Sequence, residues 1–371
     1  MNSKRIQLLL TGVAACISLL LMITTTYGAS IVIGGDYTDI GTIVVISPKP
    51  GDTPQTNGTA LLNNLAGISA DASNRYLIKL GAGIYDIGTS SLQMKEYVDI
   101  EGSGENATII TGIPSDTDST GCTLTGANNA GLRFVTVKNT GAISQGRVAA
   151  ICNISTSPDI THVRAICSGG TAVCFGILNS ISSARLTNVY ANASGAASNA
   201  AIANYNSPSP GPTLSTVRAI AKITEGNYAT GVLNSGGGPD SVVVLSNVTA
   251  EASGGVAYTS AVYNIAVSAV LHNVTAVSTP TGTPSPTAVF FAVFTDGFDV
   301  CPGCTVRIHN SVLKGSTGTI GEIHHEDTGH GLVTRVANSQ MDGAIVLTTP
   351  ARVKCAGVFD ETYTFYASTC P

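Results

Sequence analysis

Between residues 296 and 330 the chain gathers a dense set of proton-transferring side chains: Asp296, Asp299, Glu322, His324, His325, Glu326, Asp327 and His330. Two carboxyl groups held about 6.5–9.5 Å apart can serve as acid and base in an inverting glycoside hydrolysis. The same stretch offers donors for a metal, with Cys301-x-x-Cys304 followed by His309, His324, His325 and His330. The histidines have no fixed ligand spacing, however, and one Cys-x-x-Cys pair is a weak metal signature. A local disulfide plus a polar loop accounts for the residues better, so neither a metal nor a cofactor is expected. The chain has no Gly-x-Ser-x-Gly, phosphate-binding loop, dinucleotide fingerprint or calcium-binding nonapeptide repeat.

These residues follow a run of repeats. A small residue, a β-branched residue, any residue and Asn recur, ending at Asn153, Asn179, Asn204, Asn234 and Asn264, with steps of 26, 25, 30 and 30 residues. A second motif, Leu/Ile-x-x-Val, keeps step with its Val at 135, 163, 189, 217, 248 and 274. Such a period indicates stacked supersecondary units. A coil of this length suits three short strands and three turns, with coils about 4.8 Å apart sharing backbone hydrogen bonds. The Ile/Val and Leu/Val positions should then form internal ladders. The recurrent Asn is expected at a turn, tolerating left-handed backbone and bonding to the Asn of the next coil. The period breaks after Val274, where the equivalent Ser311 comes 37 residues later. Insertions in solenoids form loops on one face and often carry function.

Composition agrees with a β-rich solenoid. Only 11% of residues are charged and 5% aromatic, with 41 Gly and no Trp. Net charge is -5 and no Lys/Arg run occurs, which argues against a nucleic-acid partner. Residues 1–30 read as a targeting segment: Lys4 and Arg5 precede an apolar run, and small residues follow at Gly28-Ala29-Ser30. A cleaved signal peptide is the first reading; an uncleaved anchor and lipid attachment at Cys16 are the others. All three export the chain to the cell envelope or beyond, with no other membrane contact expected. Setting Cys16 aside leaves eight of the nine cysteines, an even number suited to disulfides. Cys355 and Cys370 could pin the tail, Cys167 and Cys174 could pair across a turn, and Cys122 and Cys152 could join adjacent coils. Their connectivity stays open at this level.

An amphipathic helix is expected over 59–68, with Leu61, Leu62, Leu65 and Ile68 on one side. Short strands should follow at 76–80, 97–100 and 108–111. The segment Asn74-Arg75-Tyr76-Leu77-Ile78-Lys79-Leu80-Gly81-Ala82-Gly83-Ile84-Tyr85, then Tyr97-Val98-Asp99-Ile100-Glu101-Gly102-Ser103-Gly104, resembles the start of pectinesterase-like proteins of the pectin-lyase fold. The whole mature chain is similar to uncharacterised bacterial exported proteins with right-handed β-helix repeats. The pectinesterase catalytic Gln, paired Asp and Arg-x-Trp segments have no counterparts, and with no Trp the last is excluded. Farther on, Thr295-Asp296-Gly297 resembles the Asn-Thr-Asp segment of polygalacturonases, with Phe294 where Asn should be. Gly329-His330-Gly331 and Arg352-Val353-Lys354 match that family's Gly-His-Gly and Arg-Ile-Lys. The resemblance implies that Asp296 is a reacting carboxylate, that His330 tunes the acid, and that Arg352 and Lys354 hold a uronate. The family's adjacent Asp pair is missing here.

The expected fold is therefore all-β: a single right-handed parallel β-helix over 31–371, with a short N-terminal capping helix and a disulfide-bearing C-terminal tail. The expected function is that of an exported, non-catalytic surface protein offering a β face to a polysaccharide or a protein partner. The alternative is a carbohydrate-active enzyme, pectinesterase-like or polygalacturonase-like.

Overall fold

The computed structural model describes residues 40–371 apart from 115–119, 142–145, 224–225, 255–256, 282–287, 297–300, 302, 324–332 and 348–352. The expected targeting segment thus lies outside the described residues. From Ile40 to Pro371 the chain forms one compact unit, a parallel β-solenoid with one α-helix.

Each coil has three faces. Face 1 carries the Leu/Ile of the Leu/Ile-x-x-Val motif, in the order Leu132, Ile160, Leu186, Leu214, Leu245, Leu271, Ile308 and Val336, each in register with the next. Face 2 carries the motif's Val, with Val135, Val163, Val189, Val217 and Val248 aligned in parallel. Face 3 carries Ile151, Ile177, Ile202, Val232, Val262, Val293 and Ile320. These rows converge inside the coil and are buried to within 2% exposure, giving one continuous core. Between faces 1 and 2 the backbone turns through a single left-handed residue: Phe134, His162, Asn188, Thr216, Asn247, Asn273, Asn310 or Asn338. Asn fills most of these places because its short amide tolerates that conformation.

The recurrent Asn of face 3 is a ladder, but not at a turn. Asn179, Asn204, Asn234 and Asn264 stand in direct register and do not have positive φ. The left-handed positions come two residues later, at Ser155, Ile181, Asn206, Gly236 and Ala266. Pointing inward, each amide donates to the carbonyl oxygen of the next: Asn153 to Asn179 and Asn179 to Asn204 at 2.7 Å, Asn204 to Asn234 and Asn234 to Asn264 at 2.8 Å. Stacking satisfies the buried amides without any turn geometry, which is why they sit in strand. All five are at most 1% exposed, so none can meet a ligand.

The helix, α1, spans Pro54–Gly67 and so begins a turn earlier than expected. Thr53 caps it, accepting from the Thr56 N–H at 3.1 Å, and Pro54 supplies a preset first position. Leu61 and Leu65 are buried against the first coil. Gly58 packs directly on the Asp86 carbonyl, where a Cβ would have no room. The early strands run Arg75–Leu80, Val98–Glu101 and Thr108–Gly112, close to expectation. Disulfides join Cys122 to Cys152, Cys167 to Cys174, Cys301 to Cys304 and Cys355 to Cys370. The last ties strand Val353–Ala356 to the tail, where Val358–Asp360 pairs antiparallel with Phe365–Tyr366.

Candidate functional site

With the interior filled by ladders, chemistry is left to the outward side chains. Asp296 ends strand Val289–Asp296 of face 3, in register with Ile265 and Ile323. Its Oδ2 accepts a hydrogen bond from the Tyr263 hydroxyl at 3.0 Å. Burial first, and then the Asp296 charge and this hydrogen bond, push the Tyr263 phenol far above the ordinary tyrosine range. The phenol therefore stays a proton donor throughout the neutral range. Glu322 is in register with Thr295 on the next coil.

Around this pair the outer side of face 3 is aromatic. Tyr263 packs on Phe294 with ring centroids 4.9 Å apart, and Phe294 stacks on Phe291 at 5.3 Å. Tyr258 meets Phe294 at 5.9 Å and stacks on Tyr228 at 5.8 Å, nearly parallel at 5°. Phe291 and Phe294 are buried, whereas Tyr228 and Tyr258 are 44% and 37% exposed. Farther up, Phe175 and Tyr205 meet edge to face at 6.3 Å beside Leu178, Ala200 and Ala203. The band thus combines apolar rings, phenol hydroxyls and one carboxylate, the mixture from which small-ligand and sugar sites are built. The sequence reading singled out Asp296 but missed its aromatic surroundings. The signal was available: Tyr228 and Tyr258 occupy the same place in successive repeats, six residues before the recurrent Asn.

Lys354 lies elsewhere. It is exposed on face 1, in register with Arg335, which is in register with Arg307. His330 and Arg352 lie outside the described residues, as do Asp299, His324, His325, Glu326 and Asp327. Of the four polygalacturonase-like positions, the two described ones, Asp296 and Lys354, are on different faces. Cys301 and Cys304 are bonded to each other, so neither offers a thiolate to a metal.

A second charged group, also missed, occupies face 1 near the N-terminus. Asp99 and Glu101 alternate with buried Val98 and Ile100 and so leave the strand on the same side. Arg133 reaches Glu101 at 2.8 Å and Asp99 at 3.6 Å; Lys79 reaches Glu101 at 3.2 Å and Arg75 reaches Asp99 at 3.6 Å. Each carboxylate lies within 3.6 Å of two cations, in an arrangement that spans three coils. Of the histidines beside the face 1 to face 2 turn, His272 is exposed, while His162 is half-buried and stacks on Phe134 at 5.1 Å.

No family model matches the chain, and no curated relative matches it significantly. Solved structures do. The catalytic domain of an alpha-1,3-glucanase in complex with nigerose matches with a TM-score of 0.50 and 12% identity, over 90% of this chain and 66% of that one. An Azotobacter vinelandii mannuronan C-5 epimerase A-module matches with a TM-score of 0.37 and 14% identity, over 82% of this chain and 96% of that one. An Erwinia chrysanthemi pectin methylesterase matches with a TM-score of 0.37 and 10% identity, over 86% and 90% of the two chains. At 12% identity the likeness to the glucanase domain is one of fold alone.

Proposed function

We propose that this is an exported polysaccharide-directed protein whose working surface is the outer side of face 3 around Tyr258, Tyr263 and Asp296. The observation that carries the reading is the Tyr263–Asp296 hydrogen bond at 3.0 Å, set within an aromatic band. Tyrosine rings offer apolar area at low entropic cost with a polar tip, and a carboxylate among them can accept from sugar hydroxyls. Four disulfides support an oxidising compartment, and no described helix is long and apolar enough to cross a membrane. The alpha-1,3-glucanase domain adds that a scaffold of this shape accommodates carbohydrate chemistry.

Catalysis is the second reading, and it rests on the Asp296 carboxylate and the glucanase-like scaffold: a phenol pushed this far up is a hydrogen-bond donor to Asp296 but a poor general acid. The polygalacturonase-like set is not part of this reading, because it draws Asp296 and Lys354 from different faces.

Affinity electrophoresis of the mature protein in gels containing neutral or acidic polysaccharides tests the surface. Assays of reducing-end and methanol release with the same polymers test catalysis. Retardation by at least one polymer is expected at high salt, weakened roughly tenfold in Tyr258→Ala and Asp296→Asn. Absence of retardation and turnover with every polymer, or wild-type behaviour of both variants, would overturn the proposal. Turnover lost in Asp296→Asn would make the surface an active site; binding without turnover would make it a binding face.

A further inference from the structure

The last coils of face 1 carry Arg307, Arg335 and Lys354 in direct register, one per coil, below Val270. Inward neighbours Val306, Ile308, Val336 and Cys355 are buried, so the three cations leave the strands outward, and all three are exposed. Parallel strands place them about 4.8 Å apart, where like charges directly opposite one another oppose folding.

Several cations on the earlier coils are matched. On face 1, Arg185 meets Asp159 at 3.6 Å and Arg133 bridges Asp99 and Glu101. On face 2, Arg218 meets Glu251 at 2.9 Å. Among the described residues, no carboxylate lies within ion-pairing distance of Arg307, Arg335 or Lys354. Among the described residues the row is a repeating positive stripe without ion-pair partners.

We propose that this stripe binds a linear polyanionic polysaccharide, its successive acidic groups meeting Arg307, Arg335 and Lys354 as the chain runs along the solenoid axis. The coil spacing is comparable with one sugar unit of an extended chain, so one acidic group per sugar brings one charge to each coil. Arginine forks grip planar carboxylates in bidentate fashion, and lysine adds a point charge. Nucleic acid fits less well, because the protein is net negative at -5 and lacks a broad basic field. The stripe lies on a different face from the Tyr263–Asp296 surface, so it goes beyond that reading and can fail separately.

The test is affinity electrophoresis of the full mature protein in gels containing polygalacturonate, sulfated dextran or neutral dextran, with duplex DNA as a further arm. Variants are Arg335→Gln and the triple Arg307→Gln/Arg335→Gln/Lys354→Gln, with Tyr258→Ala as the face 3 control. The wild type should be retarded by at least one of the two acidic polysaccharides more than by neutral dextran. The effect should weaken with salt and fall at least tenfold in the triple variant, while Tyr258→Ala retains the salt-sensitive part. Carboxylated against sulfated polymer identifies the acidic group. Without ligand, Arg335→Gln should melt no lower than wild type, since it relieves repulsion. Unchanged binding in the triple variant, a lower melting temperature in Arg335→Gln, or tighter binding of DNA than of either polysaccharide would overturn the assignment.

Discussion

Replacing Asn204 with Leu strikes the middle of the amide ladder and should be among the more damaging single substitutions in the solenoid. Asn204 is fully buried, accepts from Asn179 at 2.7 Å and donates to Asn234 at 2.8 Å. Leucine nearly matches its shape but leaves the Asn179 amide and the Asn234 carbonyl oxygen buried without partners. Each orphaned group costs about 1–3 kcal/mol. The added apolar burial of leucine offsets on the order of 1 kcal/mol, leaving a net loss of about 1–5 kcal/mol. Asn264→Leu is the internal control. Its side-chain nitrogen already lacks a partner among the described residues, so the substitution orphans only the Asn234 amide. It should cost less than half as much. Urea titration followed by far-UV circular dichroism gives both numbers, with hydrogen exchange resolving single coils because solenoids need not unfold in one step. Equal losses in the two variants, or none in Asn204→Leu, would refute the idea that stacked amides hold face 3 in register.

Cys370→Ser opens a disulfide of 15-residue separation, which should cost about 3 kcal/mol, concentrated at the C-terminal end. Hydrogen exchange should accelerate at Val358–Asp360 while the coils around Ile202 and Val232 keep their protection; uniform loosening would contradict a capping role. Burial raises the Tyr85 phenol to about 12, and its hydroxyl lies within hydrogen-bonding distance of the carbonyls of Ile46 at 2.9 Å and Gly81 at 3.0 Å. The unfolded chain ionises near 10, so above that pH it binds fewer protons than the folded state. Stability from this group is complete below about pH 10 and is lost as pH rises toward 12. Tyr85→Phe should therefore flatten the alkaline fall in melting temperature, and an unchanged slope between pH 9 and 12 would count against the buried neutral phenol.

The repeat motif made the core legible because inward positions recur at coil length: Leu186 and Val189 announce faces 1 and 2 as surely as Ile177 announces face 3. The Cys122–Cys152 disulfide was a candidate for a related reason, the two being 30 residues and so about one coil apart, while the connectivity of the eight cysteines stayed open. The place of the recurrent Asn was not legible, since a stacked inward amide and a left-handed turn both select that residue and only backbone geometry separates them. The start of α1 was missed because Gln55, Thr56 and Asn57 look like linker, although Thr53-Pro54 is a helix-start signal. Outward chemistry is least legible. Outer faces tolerate any residue, so the row of Arg307, Arg335 and Lys354 emerges only once unequal coil lengths have been aligned by register.

That alignment also shows a local break in the pattern beside the proposed Tyr263–Asp296 surface. The amide ladder runs unbroken from Asn153 to Asn264, and the next residue in register is Thr295. Threonine is too short to continue the chain of amides. The Asn264 side-chain nitrogen and the Thr295 hydroxyl are both buried without a hydrogen-bond partner among the described residues. Buried polar groups left unsatisfied are few in native proteins and ask for a cause. Here the break falls where Tyr263 and Asp296 meet outside the sheet, one residue from Asn264 and Thr295 respectively. A repeat that must also position an outward carboxylate against a phenol has reason to depart from the pattern, and local departures from an otherwise consistent fold concentrate at functional sites.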